Sequence, residues 1–330
     1  MQLERPAPIA ASPLRLVERA VPDPGPGEVL LRVAACGICR TDLHVVEGEL
    51  APVRSPIVPG HQVVGRVERI GAGVSGHSVG ARAGIAWLGR TCGVCDDCMA
   101  GRENLCERAL FTGYHADGGY AEYALAQAGF AYAIPDAFTD AEAAPLLCAG
   151  IIGYRALRLS RVTARQRLLM YGFGSSAHIT LQVAVARGID VFVCTREPAH
   201  RTLARSLGAA WTGGLADRVP APAHGAIVFA PAGELVPLAL RSLAPGGTLA
   251  LAGIYMTPIP SLDHADLYRE RGVVTVTANT RQDGRELLAE AARIPIRPTV
   301  TTFPLEHANH ALQALKSGRI AGSGVLVTGV

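Results

Sequence analysis

The sequence predicts an α/β chain: a β-rich first half followed by a doubly wound parallel sheet. Three observations predict it. Up to about Leu125, short stretches of alternating apolar and polar residues recur between glycines and prolines, the texture of irregular β structure. After Asp136 the texture changes to Ala-rich helical periodicity, opened by Asp140-Ala-Glu-Ala-Ala-Pro145. Between Arg167 and Thr195 the order is apolar strand, Gly172-Phe-Gly174-Ser-Ser-Ala177, helical spacing, and a second apolar strand. Strand, G-x-G-x-x-A, helix, strand is the βαβ unit that lays a pyrophosphate on a helix N-terminus, the signature of a Rossmann domain.

In chain order, strands are expected on either side of the Pro22–Gly27 turn and then at 57–70, 79–87 and 119–125. A helix should run from Asp140 toward Cys148 and Tyr154. The βαβ unit follows at 167–195, with further parallel strands at 225–229, 248–253 and 273–278. From about Arg285 the pattern is helical, then a strand and turn at 298–306, a helix ending at Gly318, and a closing strand at 325–328. The expected organisation is a domain over 1–148, a Rossmann domain over 149–281 and a C-terminal segment over 282–330.

Composition narrows the function. At 330 residues the chain exceeds the roughly 250–300 at which single cores stop growing, so two domains are expected. A net charge of +3 with dispersed arginines does not describe a nucleic-acid surface, and no apolar run suggests a membrane span. Small molecules are the expected partners. Lys316 is the single lysine and lies in a late helical pattern, which argues against Schiff-base chemistry. The first residues lack a secretory leader pattern, so a cytoplasmic protein is expected, whose eight cysteines form no disulfide framework; cysteine clusters in that setting bind metal or act in chemistry.

Cys92-x2-Cys95-x2-Cys98-x7-Cys106 supplies four thiolates, a closed shell for a structural zinc. Gly76-His-Ser78-Val-Gly80 matches a hydrolase nucleophile elbow, but that elbow needs a strand leading in and a helix leading out. Here the residues on either side read as turn and strand, so Ser78 is expected in a β turn. The end of the second Rossmann strand offers Thr195-Arg196, with the acidic Glu197 one place late and Arg201 a turn further on. A guanidinium there pairs with a 2′-phosphate that an acidic residue would repel, so the reading is NADP over NAD.

One stretch carries the chemistry: Cys36-Gly-Ile-Cys39-Arg40-Thr41-Asp42-Leu-His44, then Gly60-His61, then the isolated Cys148. Two thiolates and an imidazole form a three-ligand set that leaves a catalytic zinc one open position; the other reading is buried, inert cysteines and a loop histidine. The run Cys39-Arg40-Thr41-Asp42-Leu-His44 with Gly60-His61 resembles the zinc-dependent medium-chain alcohol dehydrogenases, and the resemblance covers nearly the whole chain in the family's order. It implies a GroES-like β-rich catalytic domain, made discontinuous by the returning C-terminal segment, and a homo-oligomer, dimer or tetramer. It implies Cys39, His61 and Cys148 as catalytic zinc ligands, with Asp42 a carboxylate beside them and Cys36 a neighbour that does not coordinate. Thr41 matches the hydroxyl that takes the substrate proton, and His44 the imidazole that passes it to solvent. Arg40 matches a pyrophosphate partner, and Trp87 a pocket-lining aromatic that suits apolar or aromatic alcohols.

The activity implied is reversible oxidation of an alcohol to an aldehyde or ketone by hydride transfer to NAD(P), with two zinc ions per chain. A polyol dehydrogenase, or a zinc-stabilised nucleotide-binding protein without turnover, are the other readings. Gln62, Ile152 and Ser323 depart from the family pattern, where a glutamate, a threonine and an arginine are common.

Overall fold

The computed structural model describes residues 1–294 and 296–329. It divides into two compact units: Met1–Cys148 with Asn279–Arg293 and Arg297–Val330, and Ala149–Ala278 with Ile294–Ile296. Among the described residues no helix is long and apolar enough to cross a membrane.

The first unit is built on the strand Glu28–Ile38, eleven residues of EVLLRVAACGI with almost every position buried. Such a run belongs inside a sheet, covered on both faces. Its first half pairs with Tyr123–Gln127 and its last residues with Ser323–Val327, both antiparallel, while Gln62–Ile70 pairs along its other edge. Register shifts at Leu30/Leu31 and Val33/Ala35 bend it. The seven-stranded sheet continues through Arg82–Ile85 to Ala131–Ala133, and Val300–Pro304 closes the opposite edge. Val29, Leu31, Val33, Cys36, Val63, Val67 and Ile85 fill the core beneath it. The strand ends one residue before Cys39, so the sheet itself fixes where that thiol stands.

The second unit is a six-stranded, all-parallel sheet. Its spatial order is Trp211–Gly213, Asp190–Cys194, Arg167–Tyr171, Ala223–Val228, Leu243–Leu251, Gly272–Thr275. Numbered within this unit the order is 3-2-1-4-5-6, the doubly wound dinucleotide-binding arrangement. The order reverses at Arg167–Tyr171, and the G-x-G-x-x-A turn leaves from that point. Its helix, Ser175–Ala186, is buried on nearly every face, Ala177, Ile179, Leu181, Val183 and Ala184 included.

Several boundaries differ from the sequence reading. The strand expected from Ile57 begins only at Gln62, because Pro59 has no N–H to give the ladder and Gly60 turns the chain at φ +97°. Strand alternation expected between 14 and 32 survives as Leu14–Arg15 and the start of Glu28–Ile38. The helix expected from Arg285 starts at Arg281, where Thr280 Oγ1 accepts the N–H of Asp283 at 3.1 Å and Asp283 Oδ2 accepts that of Thr280 at 2.9 Å. Ser78 lies in the loop before the strand Arg82–Ile85, so no helix leads out of it and no nucleophile elbow exists there.

Candidate active site and metal centres

Cys39 stands at the N-cap of the helix Arg40–Glu47 in extended conformation. His61 follows Gly60, where a side chain is impossible: a Cβ would come within 2.3 Å of the Tyr120 ring. Cys148 sits in a π-helical turn, Leu146–Gly150, between the helices Asp140–Pro145 and Ile151–Leu159. The wider turn re-aims the thiol relative to a regular helix, a use to which such turns are often put. These three segments, remote in sequence, bring Cys39 Sγ, His61 Nε2 and Cys148 Sγ within 4.8 Å of one another.

His61 Nε2 lies 3.4 Å from Cys39 Sγ and 3.3 Å from Cys148 Sγ. Zinc bonds of about 2.3 Å to sulfur and 2.0–2.1 Å to nitrogen put tetrahedral ligands about 3.6–3.8 Å apart, so the donor set fits that ion to within a few tenths of an ångström. Charge agrees with geometry. Asp42 is buried, its Oδ2 accepts the Cys39 N–H at 2.8 Å, and its Oδ1 lies 3.2 Å from His61 Nδ1. That second contact is close enough for an ion pair but not aligned as a hydrogen bond. Burial by itself lowers the His61 pKa, yet Asp42 and Cys39 raise it to about 10. The neighbouring Cys148 and burial push the Cys39 thiol well above its usual value. A buried carboxylate beside two thiols calls for a cation at their centre.

The second cluster gathers Cys92, Cys95, Cys98 and Cys106, again within 4.8 Å. Cys92 Sγ lies 3.9 Å from Cys98 Sγ and 3.6 Å from Cys106 Sγ, the spacing of thiolates around one zinc. The backbone N–H of Val94 pulls Cys92 down, while, against the backbone N–H of Cys98, hydrogen bonds with Cys92, Cys98 and Cys106 push Cys95 up, so these crowded thiols titrate as one group. Between the third and fourth cysteines, Glu103 turns inward and takes the Arg281 guanidinium at 2.8–3.1 Å and its backbone N–H at 2.6 Å. Arg281 also lies over the Phe130 ring, 4.4 Å from its centroid. The cysteine-rich lobe is thereby tied to the first turn of the returning helix.

Thr41 and His44 are three apart on the helix Arg40–Glu47 and share a face, with Arg40 exposed at its start. Trp87 is buried with its ring edge-on to His61, centroids 4.9 Å apart. Phe111 stacks on Trp87 at 4.9 Å and Tyr114 at 6.0 Å, two aromatics the sequence reading did not single out. Only their closeness in sequence hinted at a cluster. Gly172 has φ +85°. Gly174 is the N-cap of Ser175–Ala186, and a Cβ there would meet nothing within 4 Å, leaving the helix N-terminus open to a pyrophosphate. Ala177 is fully buried where that helix packs. Thr195 is buried and Arg196 exposed, while Arg201 Nη1 donates to the carbonyls of Thr195 and Arg196 at 2.9 and 3.2 Å. Gln62 is buried, its Nε2 without a partner; Ser323 opens a strand of the first unit's sheet.

Fold and site together define a zinc dehydrogenase, and the comparisons with known proteins agree. Residues 25–136 match the alcohol dehydrogenase GroES-like domain. A probable alcohol dehydrogenase, AdhA, of Mycobacterium tuberculosis (strain CDC 1551 / Oshkosh) is 49% identical over 332 residues, covering 99% of this chain and 96% of that one. An alcohol dehydrogenase of Geobacillus stearothermophilus is 38% identical over 310 residues, 91% of each chain. The cobalt- and zinc-bound thermostable alcohol dehydrogenase of Pyrobaculum aerophilum superposes with a TM-score of 0.88 at 29% identity, covering 99% and 98% of the two chains. The chain belongs to the zinc-containing medium-chain alcohol dehydrogenase family. It is an NAD(P)-dependent zinc alcohol dehydrogenase, with a catalytic site of Cys39, His61 and Cys148 and a structural site of four cysteines.

Proposed function

We propose that the enzyme oxidises apolar or aromatic primary and secondary alcohols, reversibly, with NADP as the preferred acceptor. The observation that carries the substrate class is the aromatic wall beside the ligand histidine. Trp87 meets the His61 ring, and Phe111 and Tyr114 extend that surface. Flat apolar faces bind apolar or aromatic groups and offer little to the hydroxyls of a polyol.

Zinc held by Cys39, His61 and Cys148 supplies Lewis acidity that makes a hydroxyl proton removable near neutral pH. The chain's own residues do the rest. Asp42 holds His61 and the Cys39 backbone in place, Thr41 takes the proton through its hydroxyl, and His44 carries it outward. The first unit, with its returning segment, then provides catalysis and the second unit the cofactor. The metal clusters lie wholly in one and the G-x-G-x-x-A turn in the other. Within the second unit the N-terminus of Ser175–Ala186, with Gly172, Gly174 and Ala177 shaping the turn, holds the pyrophosphate.

The 2′-phosphate falls to Arg196 beside Thr195. Arg196 is exposed, whereas the Arg201 guanidinium is engaged by two carbonyls and serves to brace the loop. Eight free cysteines suit a reducing, cytoplasmic setting. A homo-oligomer, dimer or tetramer, accounts for the half-exposed sheet edge Gly272–Thr275 and the exposed Ile254, Tyr255, Ile259 and Tyr268. The experiment is a paired rate measurement with NAD and NADP, using benzyl alcohol and sorbitol, on wild type and Arg196→Ala. NADP preference lost in the variant, with benzyl alcohol preferred in both, supports the reading. Equal use of NAD by the wild type, or a sorbitol preference, overturns its respective half.

A further inference from the structure

The helix Arg40–Glu47 ends at Gly48, whose φ of +81° is open to glycine and strained for other residues. In this left-handed cap the Gly48 N–H returns to the Val45 carbonyl at 3.3 Å and the Leu50 N–H to the His44 carbonyl at 3.1 Å. The chain therefore doubles back over its own last turn. Between those two bonds stands Glu49, and the fold-back sets its carboxylate directly on His44: Glu49 Oε2 contacts His44 Nδ1. The imidazole is largely buried, at 12% side-chain exposure, while the Glu49 side chain is half exposed at 50%. The pair thus runs from the interior toward water.

The other acid of this turn is already engaged. Glu47 receives the Lys316 ammonium on both carboxylate oxygens at 2.7 Å and the Ile9 N–H at 2.8 Å. Glu49 is the carboxylate turned to the histidine.

We propose that Glu49 is a positioning residue for the proton path. It holds His44 with its N–H on Nδ1, so that Nε2 is the nitrogen able to accept. The proposal rests on the reading of His44 as the outer carrier of the substrate proton. A carboxylate facing one imidazole nitrogen requires the proton there, and this fixes both tautomer and ring orientation. When Nε2 takes the incoming proton, one proton leaves the ring to water, and the Glu49 contact on Nδ1 keeps the ring's orientation. One proton enters, one departs, and no bond other than N–H is made or broken.

The test is single-turnover alcohol oxidation with a pH-indicator dye, reading proton release and NAD(P)H formation together. It compares wild type, Glu49→Ala, Glu49→Asp, His44→Gln and the double variant Glu49→Ala/His44→Gln. The expected result is proton release slowed at least about tenfold in Glu49→Ala. The alcohol KM, zinc content and coenzyme affinity should hold, and Glu49→Asp should restore most of the rate. The double variant should be no slower than His44→Gln alone, since Glu49 acts only through that ring. Wild-type proton release in Glu49→Ala while His44→Gln is slow overturns the role of Glu49, as does a double variant that loses the product of the two effects. Wild-type release in His44→Gln removes the relay reading itself, and with it this proposal.

Discussion

One carboxylate, Asp42, serves two zinc ligands at once: Oδ2 accepts the Cys39 backbone N–H at 2.8 Å, and Oδ1 stands 3.2 Å from Nδ1 of His61. The first contact fixes the start of the helix that follows Cys39. The second sets a negative charge beside the imidazole nitrogen that does not face the sulfurs. Partners of this kind set ligand orientation and basicity, and their loss typically lowers metal affinity about 10–100-fold.

Asp42→Asn keeps the shape and removes the charge. Its catalytic zinc should become about 10–100-fold easier to extract by a chelator, while the four-cysteine zinc, with no contact to Asp42, keeps its wild-type affinity. A competition titration with a chromogenic chelator separates the two ions. Equal weakening of both would point to general unfolding instead.

Glu103 and Arg281 join the cysteine-rich lobe to the returning helix through an ion pair whose carboxylate is nearly buried. Glu103→Gln leaves the guanidinium without its counter-charge. Because Arg281 is partly exposed, at 34%, the cost should be at the low end for buried pairs, about 2–3 kcal/mol. Urea unfolding followed by Trp87 emission measures it. The lobe should also release its zinc earlier in the transition than wild type does.

His178 gives the second unit a pH dependence. It lies buried in the helix Ser175–Ala186, and desolvation lowers its pKa from 6.5 to about 4. Between those values the unfolded chain binds a proton that the native core refuses, so stability is fully present above about pH 6.5 and falls as pH drops toward 4. The loss from this one group is on the order of 3 kcal/mol. Urea midpoints followed by Trp211 emission should decline over this window in wild type and decline less in His178→Gln.

Trp87→Ala removes the central ring of the aromatic wall. The KM for benzyl alcohol should rise about tenfold or more, in line with losing an aromatic contact and its buried area, while ethanol, too small to reach across the wall, is affected less. Steady-state kinetics on the two alcohols decide it. An equal change for both would place Trp87 in the scaffold alone.

Much of this molecule was legible in its residues. The βαβ unit was readable because Arg167–Tyr171 and Asp190–Cys194 are short apolar runs punctuated by glycine, and such runs need no distant partner to be recognised. The four-cysteine site was readable because its ligands lie within fifteen positions, so spacing alone encodes the shell. The three-ligand site was different. Cys148 is 87 residues from His61, and its aim depends on a π-helical turn that no local pattern announces; there the family resemblance was needed. Glu49, Phe111 and Tyr114 stayed hidden for a related reason. Glu49 reaches His44 only through the left-handed cap at Gly48, and the aromatics meet Trp87 only once Leu110–Phe111 pairs with Leu88–Arg90. Strand limits slipped where Pro59 and Gly60 interrupt the ladder, an effect of backbone hydrogen bonding that hydrophobic alternation does not register.

The most direct measurement is zinc content set against turnover, in wild type and in Cys148→Ser. Wild-type protein should hold two ions per chain, one for each donor cluster. Cys148→Ser should keep the four-thiolate ion and its fold, lose the other ion on dialysis, and oxidise no alcohol. Full turnover by protein holding only the four-thiolate ion would contradict a catalytic zinc at Cys39, His61 and Cys148.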